Sequence, residues 1–179
     1  MADAPLVFQQ AFISLKRVLG SKWSPALAER FKALNVDLEA PEPAYPLETW
    51  VKCLNLGMET LYPGVPLEKA THDIGRRMVE AISETVLGGA LFKLLQILGP
   101  KRGLQRMARN LRSSNNYSES QVTDVGAGEY ELALNLVNYP HYYVGMLEAG
   151  LGLMGAKAPV VTLHSHSPDK NARFRIRFE

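Results

Sequence analysis

The chain has 179 residues, 46% hydrophobic and 21% charged, which suits one domain with a proper core and a soluble globular composition. Its formal net charge of +2 excludes a bulk polyanion binder, and its single cysteine, Cys53, excludes an intrachain disulfide and a multi-cysteine metal cluster. The opening MADAPLVFQQAFISLKRVLG has no basic region followed by an apolar one, and the longest uncharged apolar run, near Thr85–Phe92, is too short to cross a bilayer. A cytoplasmic protein without a membrane span is therefore expected.

The first half reads helical. Apolar residues Val7, Phe8, Ala11, Phe12, Leu15 and Leu19 predict a helix over Leu6–Gly20. Ser24-Pro25 supplies an N-cap and a first-turn proline for a second helix, with Leu27, Phe31 and Leu34 as its apolar stripe. Residues 34–46 hold three closely spaced prolines and read as a loop. A third helix starts at Pro46 and ends at Tyr62-Pro63-Gly64. The fourth, Pro66 to Leu87, has a buried stripe through Leu67, Ala70, Ile74, Met78 and Ile82. Gly88-Gly89 is expected to bend or break it before the apolar Ala90–Leu98 segment. Gly99-Pro100 is a firm break, and a basic helix, Lys101–Arg112, follows.

The second half changes period. Residues 118–137 read as two strands around the turn Gly126-Ala127-Gly128. Residues 141–154 return to helix spacing, and Ala158–His164 and Ala172–Phe178 form a second strand pair. The order predicts an α+β fold. A helical half, residues 1–112, packs on a small four-stranded antiparallel sheet, and a Gly-rich helix lies between the sheet's two hairpins in residues 117–179. All 179 residues are expected to form a single domain.

The segment from Tyr139-Pro140 through the Gly-rich GMLEAGLGLMGA to the closing FRIRF resembles the C-terminal half of a ligand-binding superfamily. That superfamily joins haem–nitric oxide sensors, four-vinyl-reductase domains and TRAPP-type transport subunits. The stretches NVDLEAPEPAYPLETW, LYPGVPLEKATHDIGRR, LGPKRGLQRMARNLRSSNNY and GMLEAGLGLMGAK resemble a myxobacterial paralogous family of unknown function. The first resemblance implies a sheet covered by a helix rich in small residues, and it raises haem as a cofactor. Against haem, the Tyr-x-Ser-x-Arg motif that holds the propionates in those sensors survives only as Tyr117 to Gln121, with Gln121 in the arginine position. His72, the one helical candidate for an axial ligand, sits beside Thr71 and Asp73 on the wetter face.

Few constellations carry chemistry. His164 and His166, at i and i+2 of a strand, would share a face and could bind one Zn²⁺, but two further ligands are missing for a structural site. They read instead as the end of a hairpin. There is no G-x-S-x-G elbow, Walker A motif or dinucleotide fingerprint, and Cys53 reads as a small buried hydrophobe. Gly145, Ala149, Gly152 and Ala156 leave a bare strip that suits close packing on the sheet, or a dimer seam or pocket floor. Arg102, Arg106 and Arg109 fall at i, i+4 and i+7, with Arg112 slightly askew. Such a row suits phosphates or carboxylates, and it equally suits a solvated face. Arg173, Arg175 and Arg177 alternate with apolar residues and give a cationic outer sheet face, useful against aggregation if the strand is an edge.

The reading that results is a non-enzymatic, sensor-like binding or interaction module without a cofactor, forming a homodimer or meeting a protein partner. Trp50, Leu54, Met78, Ile82, Tyr143 and Met146 are the candidates for an apolar pocket. The alternative is an anion or nucleotide receptor built on Arg102, Arg106, Arg109 and Arg112. A zinc or haem protein stands behind both, and general nucleic-acid binding is not expected.

Overall fold

The structure, a computed structural model, describes residues 4–179. The first described element is a strand where the apolar spacing predicts a helix. Strand β1 (Leu6–Phe8) pairs antiparallel with β2 (Ala44–Pro46), inside the segment read as loop, and helix α1 (Gln9–Leu19) starts only afterwards. The cause lies far along the sequence. The Phe8 N–H donates to the Ser114 carbonyl (2.8 Å) and the Leu6 N–H to Asn116 Oδ1 (2.7 Å), which holds these residues extended.

Helix α2 (Pro25–Lys32) opens as its sequence dictates, with Ser24 Oγ accepting from the Leu27 N–H. Helices α3 (Leu47–Leu61) and α4 (Leu67–Ser83) follow. The helix expected to run to Leu87 stops at Ser83, because Thr85 caps a new helix by accepting from the Gly88 N–H at 2.9 Å. That helix, α5 (Val86–Asn110), turns 98° from α4. The break therefore precedes Gly88-Gly89. Gly88 makes the corner possible, since a Cβ there would lie 1.9 Å from the Ile82 carbonyl oxygen. Gly99, at φ 76° and ψ 163°, divides α5 at the expected Gly99-Pro100 position.

Strands β3 (Ser120–Gly126) and β4 (Glu129–Leu134) form the first hairpin. Helix α6 (Pro140–Leu153) leads to the second, β5 (Val160–His166) and β6 (Ala172–Arg177). The sheet order is β3-β4-β6-β5, all antiparallel. β6 is thus an inner strand, and its arginines protect no edge. They do not form a free cationic face either: Arg175 pairs with Glu131 (3.3 Å) and Arg177 with Glu129 (3.1 Å) across to β4. The other face buries Tyr130, Leu132 and Leu134 against Ala172, Phe174 and Ile176.

Two cores result. Helices α1–α4 enclose Phe12, Leu15, Phe31 and Ile74, and the sheet with α5 and α6 encloses Leu104, Leu132, Leu147 and Phe174. Of the helical half, α5 packs directly on the sheet at β3, and α6 covers the sheet at β5. α6 is the hub. Gly145 faces α4, where a Cβ would sit 2.0 Å from the His72 carbonyl oxygen, and Gly150 faces Met107 of α5. The bare strip therefore packs on a helix at Gly145, not on the sheet, while Gly152 meets nothing within 4 Å.

Candidate functional site

The two cores leave a small cavity where they adjoin. Trp50, Val51 and Leu54 of α3 form one wall, and Tyr117, Leu136, Tyr139, Tyr142 and Tyr143 form the other. Local rules deliver these side chains. α3 buries Trp50 and Leu54 on its inner face. Pro140 at the first helical position starts α6 so that Tyr142 and Tyr143 follow within its first turn. Between β4 and α6 the chain turns sharply through Leu136, which holds the left-handed φ of 49° that a bulky residue rarely adopts. Tyr139 donates its hydroxyl hydrogen bond to Asn55 of α3 and so ties the two walls together.

The cavity measures about 30 Å³. That is room for a water or two, far below the ~300–1,000 Å³ of ligand pockets. Burial of the phenols makes the site a poor host for charge: Tyr117 is pushed up to about 12, and Tyr142 and Tyr143 are raised further. Of the six pocket candidates, the structure brings Trp50, Leu54 and Tyr143 together here. Met78 lies in the N-terminal core, and Ile82 and Met146 are half-buried elsewhere. Tyr117, Leu136, Asn138, Tyr139 and Tyr142 belong to the site but were not singled out by sequence as pocket residues. The run Tyr139-Pro140-His141-Tyr142-Tyr143 was the available signal.

Among the described residues no histidine lines the cavity. His72 sits at the α4–α6 crossing, with Nδ1 3.1 Å from Asp73 Oδ1 and Nε2 2.9 Å from Glu148 Oε2. Both ring nitrogens are thereby engaged. His164 and His166 do not share a strand face in regular register. A bulge between Leu163 and Ser165 leaves His164 without a partner on β6, so that His166 falls opposite Ala172. His166 Nε2 lies 2.9 Å from the Val137 carbonyl oxygen. Among the described residues no group of three or more His, Cys, Asp or Glu side chains could hold a metal ion. Cys53 is buried and its thiol is pushed up to about 12 by desolvation, which leaves it unreactive as a nucleophile.

Arg102, Arg106, Arg109 and Arg112 are exposed on and just beyond the basic half of α5. Among the described residues none of them pairs with a carboxylate, whereas neighbouring Lys101 does, with Asp124 at 2.7 Å. Arg109 Nε donates to the Gln105 carbonyl (3.3 Å) and Arg112 to the Asn116 carbonyl (3.2 Å). Among the described residues no single helix is long and apolar enough to cross a membrane.

The helices, the inserted α6 and the sheet order together give the fold of H-NOX domains. An Fe(II) unliganded H-NOX protein from K. algicida superposes with a TM-score of 0.65 at 9% identity, over 96% of this chain and 96% of that one. A point mutant of the K. algicida protein gives 0.68 at 11%, with the same coverage. An oxygen binding H-NOX domain related to soluble guanylate cyclases gives 0.59 at 15%, over 94% and 92%. The likeness extends over nearly the whole chain, not the C-terminal half alone. The chain belongs to the family described as "Protein of unknown function (DUF2378)", which it matches over residues 6–179. No functionally curated protein matches it significantly in sequence.

Proposed function

We propose that this protein is a haem-free module of H-NOX-like fold, sensor-like in architecture, that works through contacts with other macromolecules and not through catalysis. The observation that carries the reading is the filled junction. A tetrapyrrole needs a flat slot of ligand-pocket size with an axial ligand. Here the cavity bounded by Trp50, Leu54 and the tyrosines is about 30 Å³, and among the described residues no histidine lines it. Gln121 stands where the resemblance asks for a propionate-binding arginine, and both nitrogens of His72 face carboxylate oxygens, at 3.1 and 2.9 Å. These residues do not fit haem. A small apolar ligand in the same place fares no better, since the aromatic side chains already occupy the volume such a ligand would displace.

The test is a titration of the purified protein with haemin, followed by absorption in the Soret region. No sharpened Soret band and no saturation at one equivalent are expected. Saturable one-to-one binding with a shifted band would refute the reading.

A second reading is favoured by the unpaired arginines: a receptor for a phosphate- or carboxylate-bearing partner on the basic half of α5. Guanidinium groups without internal acids keep their full capacity for bidentate contact. If so, a variant with Arg102, Arg106 and Arg109 all replaced by Ala should lose pyrophosphate binding at least tenfold while its melting temperature stays within about 2 °C, as surface changes do. Equal binding by wild type and triple variant would eliminate that stripe.

A further inference from the structure

Among the described residues nothing covers the outer face of the apolar half of α5. Val86, Leu87, Leu94 and Ile97 expose 90%, 85%, 46% and 83% of their surface, and Ala90 is exposed between them. On the opposite side Gly88 and Leu95 are buried in the protein. A helix apolar on both sides is made to be covered on both. The five exposed residues share an arc of roughly 100°, and their combined apolar surface is on the order of 500 Å², at the upper end for a monomer's largest patch.

The spacing of that stripe says what covers it. Leu87, Ala90, Leu94 and Ile97 follow one another at intervals of 3, 4 and 3, the seam of a paired helix. This pattern reads the same in both directions. Two copies run antiparallel about a two-fold axis at Phe92 would place Leu87 against Ile97, Ala90 against Leu94, and Val86 against Leu98. A large residue then faces the small Ala90 near the centre, and each contact occurs twice, as a two-fold interface requires. Lys93 is the only charge from Val86 to Leu98, and it lies at the margin of the arc. Leu91, Leu98 and the Lys93 stem beside the stripe bring the buried area toward the ~800 Å² per partner of a stable interface. A bilayer surface would call for several basic residues flanking this face. Lys93 alone does so, and the arginines lie beyond the bend at Gly99.

We infer that a second copy of this chain covers the stripe through an antiparallel α5–α5 pair over Val86–Leu98. The inference rests on the contact-module reading and names its first partner. Sedimentation equilibrium of the full chain should show a dimer at micromolar concentration. The double variant Leu87→Glu/Ile97→Glu should weaken association at least about 100-fold, because four carboxylates would be desolvated in the seam. Its far-UV circular dichroism should be unchanged, since both positions are exposed in the single chain. Geometry is read by mixing L87C with I97C under mild oxidation. The native Cys53 is buried and does not interfere. Cross-links between position 87 of one copy and position 97 of the other are expected, in excess over like-with-like products.

A wild type that stays monomeric to high concentration would overturn the inference. So would undiminished dimerisation of the double variant, or cross-linking chiefly of 87 to 87. Co-sedimentation of monomers with anionic vesicles would overturn it in favour of a lipid surface. Haem binding is read separately in the Soret titration, so failure of the seam and failure of the underlying reading are distinguished.

Discussion

Replacing Gly145 with alanine should destabilise the protein by about 1–3 kcal/mol, although alanine is the better helix former by about 1 kcal/mol. The opposing terms make the sign informative. A Cβ on Gly145 would stand 2.0 Å from the His72 carbonyl oxygen, and one on Gly75 would stand 2.1 Å from the Tyr142 carbonyl oxygen. Helices α4 and α6 therefore touch backbone to backbone at two reciprocal points. Backbone cannot swing aside as a flexible side chain can, so the helices must separate, and His72 must then loosen its contact with Glu148. Gly145→Val should cost more, about 3 kcal/mol or beyond, since it adds bulk at the same contact. Gly152→Ala is the matched control on the same helix. Nothing lies within 4 Å of its would-be Cβ, so propensity alone should act there and stabilise by up to about 1 kcal/mol. Urea unfolding of the three variants checks this. A neutral or stabilising Gly145→Ala would mean that the crossing is looser than described.

That crossing also shows where the sequence was legible. The spacing of small residues in α6 announced a close approach, but not its partner, because a bare strip is equally suited to a helix, a sheet or a second chain. Helix α2 was readable in full, since Ser24-Pro25 carries its start in two adjacent residues. β1 was not. Its extended state depends on hydrogen bonds to residues 114–116, over a hundred positions away, while its local apolar spacing continues that of α1. The α4–α5 corner lay between these cases. Thr85 caps α5 through the Gly88 N–H, yet the apolar stripe runs on through the corner and hides it. At the candidate site, helix spacing marked Trp50, Leu54 and Tyr143 as inward-facing. Spacing cannot say whether an inward residue meets a neighbour or a void, and this cavity is lined by tyrosines from separate parts of the chain. The paired histidines failed as a face for a different reason: the rule that i and i+2 point the same way assumes regular pleating, and one bulge at His164 suspends it.

The two cores give the last test, of whether the chain folds as one unit. Phe12 and Phe174 are both fully buried, the first among α1–α4 and the second between the sheet and α6. Truncating either to alanine should cost about 3–5 kcal/mol, the range for a buried aromatic. Both tryptophans, Trp23 and Trp50, belong to the N-terminal core, and the C-terminal core has none. Tryptophan fluorescence therefore reports on one core only, while far-UV circular dichroism reports on the helices and sheet of both. The α4–α6 crossing, the hydrogen bonds from β1 to residues 114–116 and the Tyr139–Asn55 bond all join the cores. With that coupling, Phe174→Ala should move the fluorescence transition by as much as the dichroism transition, although both tryptophans belong to the other core. Coincident transitions are the mark of two-state unfolding. If the cores were independent, Phe174→Ala would leave the fluorescence midpoint at the wild-type value and split the dichroism curve in two. Gly145→Ala should behave likewise. It strains the crossing without removing the other links between the cores, so both probes should shift together to a lower midpoint, as they do in both phenylalanine variants.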